Sequence, residues 1–221
     1  MSAPDEEVRY APLVERLAPL VAVVVAVLSQ VLMRDRIVLG PLLLAPVVEV
    51  ALVVAIILGD GALRSRRRRV DLLRYALAHV LAISGTTSAF LLISDVIAVR
   101  PVTVQQLLAE GLQILVVVTV GFALLFWQLD RGGPNGRVQQ KVELTSFWFT
   151  QDAIREYSDQ FDSWQPRFLD YLYLAITNLV AFSPTDTMPL TRTAKMLMVW
   201  ESVVSLATSA VVLARAVNIL N

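Results

Sequence analysis

The sequence predicts an all-α fold, a polytopic transmembrane helical bundle, on three observations. Apolar residues make up 56% of the chain, with a mean hydropathy of +0.63, against roughly 45–50% in soluble domains. These residues gather in runs near the ~20 residues of helix needed to cross ~30 Å of hydrocarbon. Clusters of charge, proline and glycine separate the runs, as loops do. Six membrane segments follow, at 17–33, 37–58, 72–99, 107–129, 168–183 and 194–220, within one membrane domain covering 1–221.

The first segment is a Val-Leu-Ala stretch broken only by Ser29 and Gln30. The approach to it is acidic at Asp5, Glu6 and Glu7, whereas a signal peptide opens with basic residues, so a retained span is expected. Arg34-Asp35-Arg36 forms the first turn. The second segment holds Pro41 and Pro46 and stops at Gly59-Asp60-Gly61, a helix-stop signal. The third ends before Pro101. The fourth ends at Asp130-Arg131-Gly132-Gly133-Pro134, a cluster that reads as a loop.

Orientation follows from the arginines of short loops. Arg64, Arg66, Arg67, Arg68 and Arg69 separate segments two and three and predict that this loop is cytoplasmic. Arg131, Arg137 and Lys141 then fall on the same side, and the amino terminus is cytoplasmic in a multi-pass cell-membrane protein. A nucleic-acid or anionic lipid-headgroup patch is an alternative reading of the arginine run.

Residues 130–165 form a cytoplasmic or interfacial segment. From Val142 to Gln165, aromatic residues mix with acidic ones, as in Phe147-Trp148-Phe149 and Asp152. That mixture suits an amphipathic helix in the headgroup zone, with a packed loop as the alternative. The fifth apolar segment, 168–183, reaches about 24 Å at ~1.5 Å per residue, short for a span. It either crosses or re-enters. Crossing is favoured, because a lipid-exposed half-helix leaves backbone groups unsatisfied unless protein surrounds it.

After this segment stand Ala181-Phe182-Ser183-Pro184-Thr185-Asp186-Thr187-Met188-Pro189-Leu190-Thr191. A short apolar helix, this motif and a long helix together resemble the pore region of tetrameric potassium channels. Asp186 matches the Asp after the filter, and Pro189 and Thr191 match its Pro-x-Thr. Ser183, Pro184 and Thr185 stand within the filter position. A potassium filter needs glycines to aim successive carbonyls into the pore. Here both filter glycines are missing, so the resemblance implies a degenerate pore that is not potassium-selective.

The region from Leu129 through Asn221 is also similar to a family of bacterial integral membrane proteins of unassigned activity. The residues that carry this are Trp127-Gln128-Leu129-Asp130-Arg131-Gly132-Gly133-Pro134, Asp170-Tyr171-Leu172-Tyr173-Leu174-Ala175, the Phe182–Thr191 motif and Ala214-Arg215-Ala216-Val217-Asn218. That resemblance implies a membrane location.

Ionisable residues within membrane segments are candidate functional groups, because an unpaired charge there costs several kcal/mol. Glu49 sits mid-segment, three residues after Pro46. It reads as an ion or proton site, or as a carboxyl hydrogen-bonded across helices. His79 lies two turns into the third segment and reads as a packing residue or a proton relay. Ser84-Gly85-Thr86 suits close helix approach. Glu201 shares a helix face with Ser205, a face that either lines an aqueous path or forms a helix–helix seam; Asp170 shares one with Asn178, which would attract cations if it borders a pore or pocket. Asp186 lines a pore in one reading. In the other it forms the turn or cap before the last helix.

The rest is exclusion. The chain has no cysteine and one histidine, which leaves no basis for thiolate or histidine-rich metal sites. Its 19 basic and 19 acidic residues balance, which speaks against nucleic acid as a partner. No nucleophile–base pair, phosphate loop or dinucleotide fingerprint is present, so neither an enzyme nor a cofactor is expected. The expected function is a channel-like or transport protein in the lipid bilayer, as a homo-oligomer conducting a monovalent ion. The alternative is a non-catalytic structural or accessory subunit that recruits a partner through 130–165.

Overall fold

The computed structural model describes residues 13–32, 44–62, 67–138, 145–155, 157, 161, 164–180 and 186–220. Helix α1 runs Leu13–Leu32, α2 Leu44–Ala62, α3 Arg67–Ile97 and α4 Val104–Leu129. A 3-10 turn at Asp130–Gly132 leads into a short α5, Gly133–Val138. Strand β1 (Phe147–Phe149) and α6 (Thr150–Ile154) follow, then α7 (Phe168–Leu179), strand β2 (Thr187–Pro189) and α8 (Arg192–Leu220). The all-α expectation holds. Three helices are long and apolar enough to cross a membrane, within Arg69–Ile97, Val104–Gly132 and Arg192–Ile219. Leu17–Leu32 and Leu44–Gly59 are shorter apolar helices.

Helix α4 is the centre. It packs on α1, α3, α7 and α8, and its half nearest α5 is buried continuously from Val117 to Phe126. Its start is fixed by a capping box: Thr103 Oγ1 accepts from the Gln106 amide, and Gln106 Oε1 accepts from the Thr103 amide. Two glycines bring α3 and α4 into close contact. A Cβ on Gly121 would lie 2.7 Å from the Ala82 nitrogen, and one on Gly85 would lie 2.9 Å from Val118 Cγ2. The small residues expected at a helix seam are therefore used as one. The outward faces are apolar, as at Leu28, Phe90, Leu112, Leu206 and Leu213, an unusual amount of exposed apolar surface for a water-soluble monomer.

Several boundaries differ from expectation. Arg67, Arg68 and Arg69 open α3 rather than lying in the preceding loop; Arg69 is exposed, and Arg64 and Arg66 lie outside the described residues. Pro41 also lies outside them. Pro46 sits in the first turn of α2, where its missing amide costs little. The 142–165 stretch is not one amphipathic helix. Phe147 and Phe149 are buried in β1, where strand pairing satisfies the backbone.

The largest difference concerns the fifth segment. Helix α7 ends at Leu179 after 12 residues, or about 18 Å at ~1.5 Å per residue. Its first residue packs by Trp127 near the end of α4, ring centroids 5.5 Å apart. The chain beyond it returns to the same end of the bundle, because β2 pairs antiparallel with β1, Phe147 opposite Pro189. The amides leading into β1 are in turn bound to Asp130. Helix α8 then runs antiparallel to α4, with Trp200 against Phe122 and Val212 against Gly111. The start of α7 and strand β2 therefore lie at the same end of the bundle, where α4 ends. Helix α7 packs against α4 and α8.

Candidate functional site

Two glutamates are fully buried among the described residues, Glu49 and Glu201. Glu49 is fully buried and joins three helices. Its Oε2 accepts from Gln30 Nε2 of α1 at 2.7 Å, and its Oε1 lies 3.0 Å from Ser84 Oγ of α3. The Ser84 hydroxyl also reaches the Leu81 carbonyl at 3.1 Å. Both Glu49 oxygens thus have partners, which is the cross-helix arrangement of a seam. His79 is not among those partners. It is exposed, and its Nδ1 lies 2.7 Å from the Tyr75 carbonyl one turn back.

Glu201 is the second carboxyl, also fully buried. The inner end of α7 meets it: Asn178 Nδ2 donates to Glu201 Oε2 at 2.7 Å and to the Met198 carbonyl at 2.9 Å. Ser202 Oγ donates back to Asn178 Oδ1 at 3.0 Å. The other oxygen, Glu201 Oε1, is buried without a hydrogen-bond partner, and so is Ser205 Oγ one turn further on. Native proteins pair nearly all buried polar atoms, so two orphans on one face mark this place in the interior.

The remaining expected residues are dispersed. Asp170 lies at the outer end of α7, where its Oδ2 accepts from the Arg167 amide at 2.6 Å. It caps the helix and does not join Asn178. Ser183, Pro184 and Thr185 lie outside the described residues. Asp186 is exposed, while its carbonyl accepts from the Thr150 amide and hydroxyl at 3.0 and 2.9 Å. Pro189 belongs to β2. The cap of α8 is Thr191, whose Oγ1 accepts from the Ala194 amide at 3.2 Å; Asp186 does not serve as that cap.

A further polar centre lies where the local pattern of Asp130–Pro134 reads only as a loop of breakers. Asp130 is fully buried. Its Oδ1 accepts from the Ser146 and Phe147 amides at 2.6 and 3.1 Å, and its Oδ2 accepts from the Tyr171 hydroxyl at 2.6 Å. Arg131 Nε lies 3.3 Å from that same Oδ2, and its other end pairs with Asp152. Arg137 donates to the Asp130 and Trp127 carbonyls at 2.8 and 3.0 Å and stacks over Tyr171. Gly132 and Gly133, at φ 71° and 72°, allow the turn that folds α5 back over the end of α4. The signal was present as an Asp-Arg pair followed by two glycines. What it lacked was Tyr171, 41 residues away. Every polar atom of Asp130 is occupied, so this centre is a structural joint.

Among the described residues no group of three or more His, Asp or Glu side chains is placed to hold a metal. In comparisons with known proteins, no family model matches the chain, and no curated protein or solved structure is detectably similar to it.

Proposed function

We propose that this chain is a multi-pass membrane protein with channel-like transport activity, built from five crossing helices and one half-helix, α7. The observation that carries the reading is the buried junction at which α7 ends against Glu201. Helices broken inside a membrane supply backbone and carboxyl groups to ions at mid-depth, and an ionisable residue held there is a functional candidate. The arginine pattern puts the amino terminus and the Asp130 end in the cytoplasm of a cell-membrane protein, so α7 enters from that side. Residues 127–134, 170–175, 182–191 and 214–218 support membership of the bacterial integral membrane family of unassigned activity. Asp186, exposed where α7 and α8 open, contributes negative charge at the mouth. The accessory-subunit reading has weaker support, because the Phe147 and Phe149 side chains that would meet a partner are buried.

The test is ion flux into liposomes containing the purified chain. Alkali-cation or proton flux above that of empty liposomes is expected. Asp186→Asn should reduce it at low ionic strength and leave it nearly unchanged at 1 M salt, where the Debye length falls to ~3 Å. Absence of flux for monovalent cations, anions and protons alike would refute the proposal.

A further inference from the structure

Four independent observations meet at the inner end of α7. Glu201 is fully buried, and no arginine or lysine pairs with it among the described residues. Its Oε1 has no hydrogen-bond partner. Ser205, on the same face and also fully buried, has an unpartnered hydroxyl. Finally, α7 terminates here, and a helix C-terminus carries a partial negative charge of about half a unit.

The depths agree. Glu201 lies nine residues into α8 from Arg192, and Asn178 lies ten residues into α7 from Phe168. At ~1.5 Å per residue both are about 14–15 Å from the end where their helices begin, near the middle of a bilayer core. Asn178 fixes the carboxyl by holding Oε2, which leaves Oε1 oriented, buried and without a hydrogen-bond partner.

We propose that Glu201 Oε1 and Ser205 Oγ, beside the C-terminal end of α7, bind one small alkali cation. The donors are oxygen only, which suits a hard cation. One carboxylate balances one positive charge, whereas divalent ions are held by several carboxylates or by substrate phosphates. The hydroxyl turns its lone pairs to the ion, and the helix end adds negative potential where water is scarce. This inference deepens the transport reading and depends on it for its biological role, while binding itself is measured separately.

The experiment is equilibrium binding of radioactive sodium to the full chain in detergent. Saturable binding of about one ion per chain is expected, displaced by unlabelled sodium or lithium and not by choline. Glu201→Gln keeps the size of the side chain and should abolish binding. Ser205→Ala should weaken it about tenfold, the equivalent of one lost polar contact. Glu49→Gln, at the other carboxyl, should bind as the wild type does. Absence of saturable binding by the wild-type chain would overturn the proposal. So would unaltered affinity in Ser205→Ala, a small change that decides the matter even where Glu201→Gln fails to fold. Binding without flux would overturn the transport reading and leave the site standing. Flux with binding indifferent to both substitutions would do the opposite.

Discussion

Replacing Asp130 tests whether the joint at the end of α4 holds the half-helix in place. Its carboxylate accepts two backbone amides and the Tyr171 hydroxyl, and it sits beside Arg131. In Asp130→Ala all three donors lose their acceptor while buried, and Arg131 loses one of two carboxylates. Breaking a buried charged pair costs about 3–5 kcal/mol, and each stranded donor about 1–3 kcal/mol. These figures overlap, since they describe one network, and a total of about 4–5 kcal/mol is expected. At ~2–4 °C per kcal/mol for a chain of this size, the Tm should fall by roughly 8–20 °C. Asp130→Asn keeps an acceptor for the two amides and should lose about half as much. Tyr171→Phe removes one donor to a charged acceptor and should cost about 1.5–3 kcal/mol. The assay is retention of the monodisperse peak on size exclusion after stepwise heating in detergent. A fall of less than about 3 °C for Asp130→Ala would refute the reasoning. Equal losses for Ala and Asn would show that charge alone matters and that the amide bonds contribute nothing.

Two further substitutions probe the helices. Gly121→Ala places a Cβ 2.7 Å from backbone of α3 that has no rotamer to yield, and should cost about 1–3 kcal/mol of overpacking. Gly59→Ala meets only a Val70 methyl at 3.1 Å and gains up to ~1 kcal/mol of helix propensity; its heating curve should nearly overlay the wild type, and a similar loss in both variants would contradict the seam. Val99 closes α3 at φ 53°, with the Arg100 amide donating to the Asp95 carbonyl and the Val99 amide to that of Val96. This pattern calls for glycine, so Val99→Gly should raise stability by about 1 kcal/mol, and an unchanged or lower Tm would refute the strain.

What was legible in the sequence was local. Apolar runs gave three helices long enough to cross a membrane and two shorter apolar ones, and the Gly-Thr patch of the third segment gave a close seam, because period and side-chain size are properties of a short window. Glu49 and Glu201 stood out for the same reason: a carboxyl inside an apolar run is conspicuous. Their partners were not, since Gln30, Ser84 and Asn178 come from other helices. The fifth apolar segment is longer than the helix within it, which ends at Leu179. Asp170, read as a lining residue with Asn178, is spent on capping, and Thr191 rather than Asp186 caps the last helix; in both cases a distance of a few ångströms decided between equally good local patterns.

The sequence by itself determined that this is an all-α chain with helices able to cross a membrane, because hydrophobic length is fixed by composition along one stretch. Only the tertiary structure decided that the start of α7 and strand β2 meet at the same end of the bundle. That outcome depends on strand pairing between 147–149 and 187–189 and on Asp130 binding Tyr171, contacts between segments far apart in the chain. The same long-range packing sets the end of α7 against Glu201, leaving two oxygens without partners where a cation would be held.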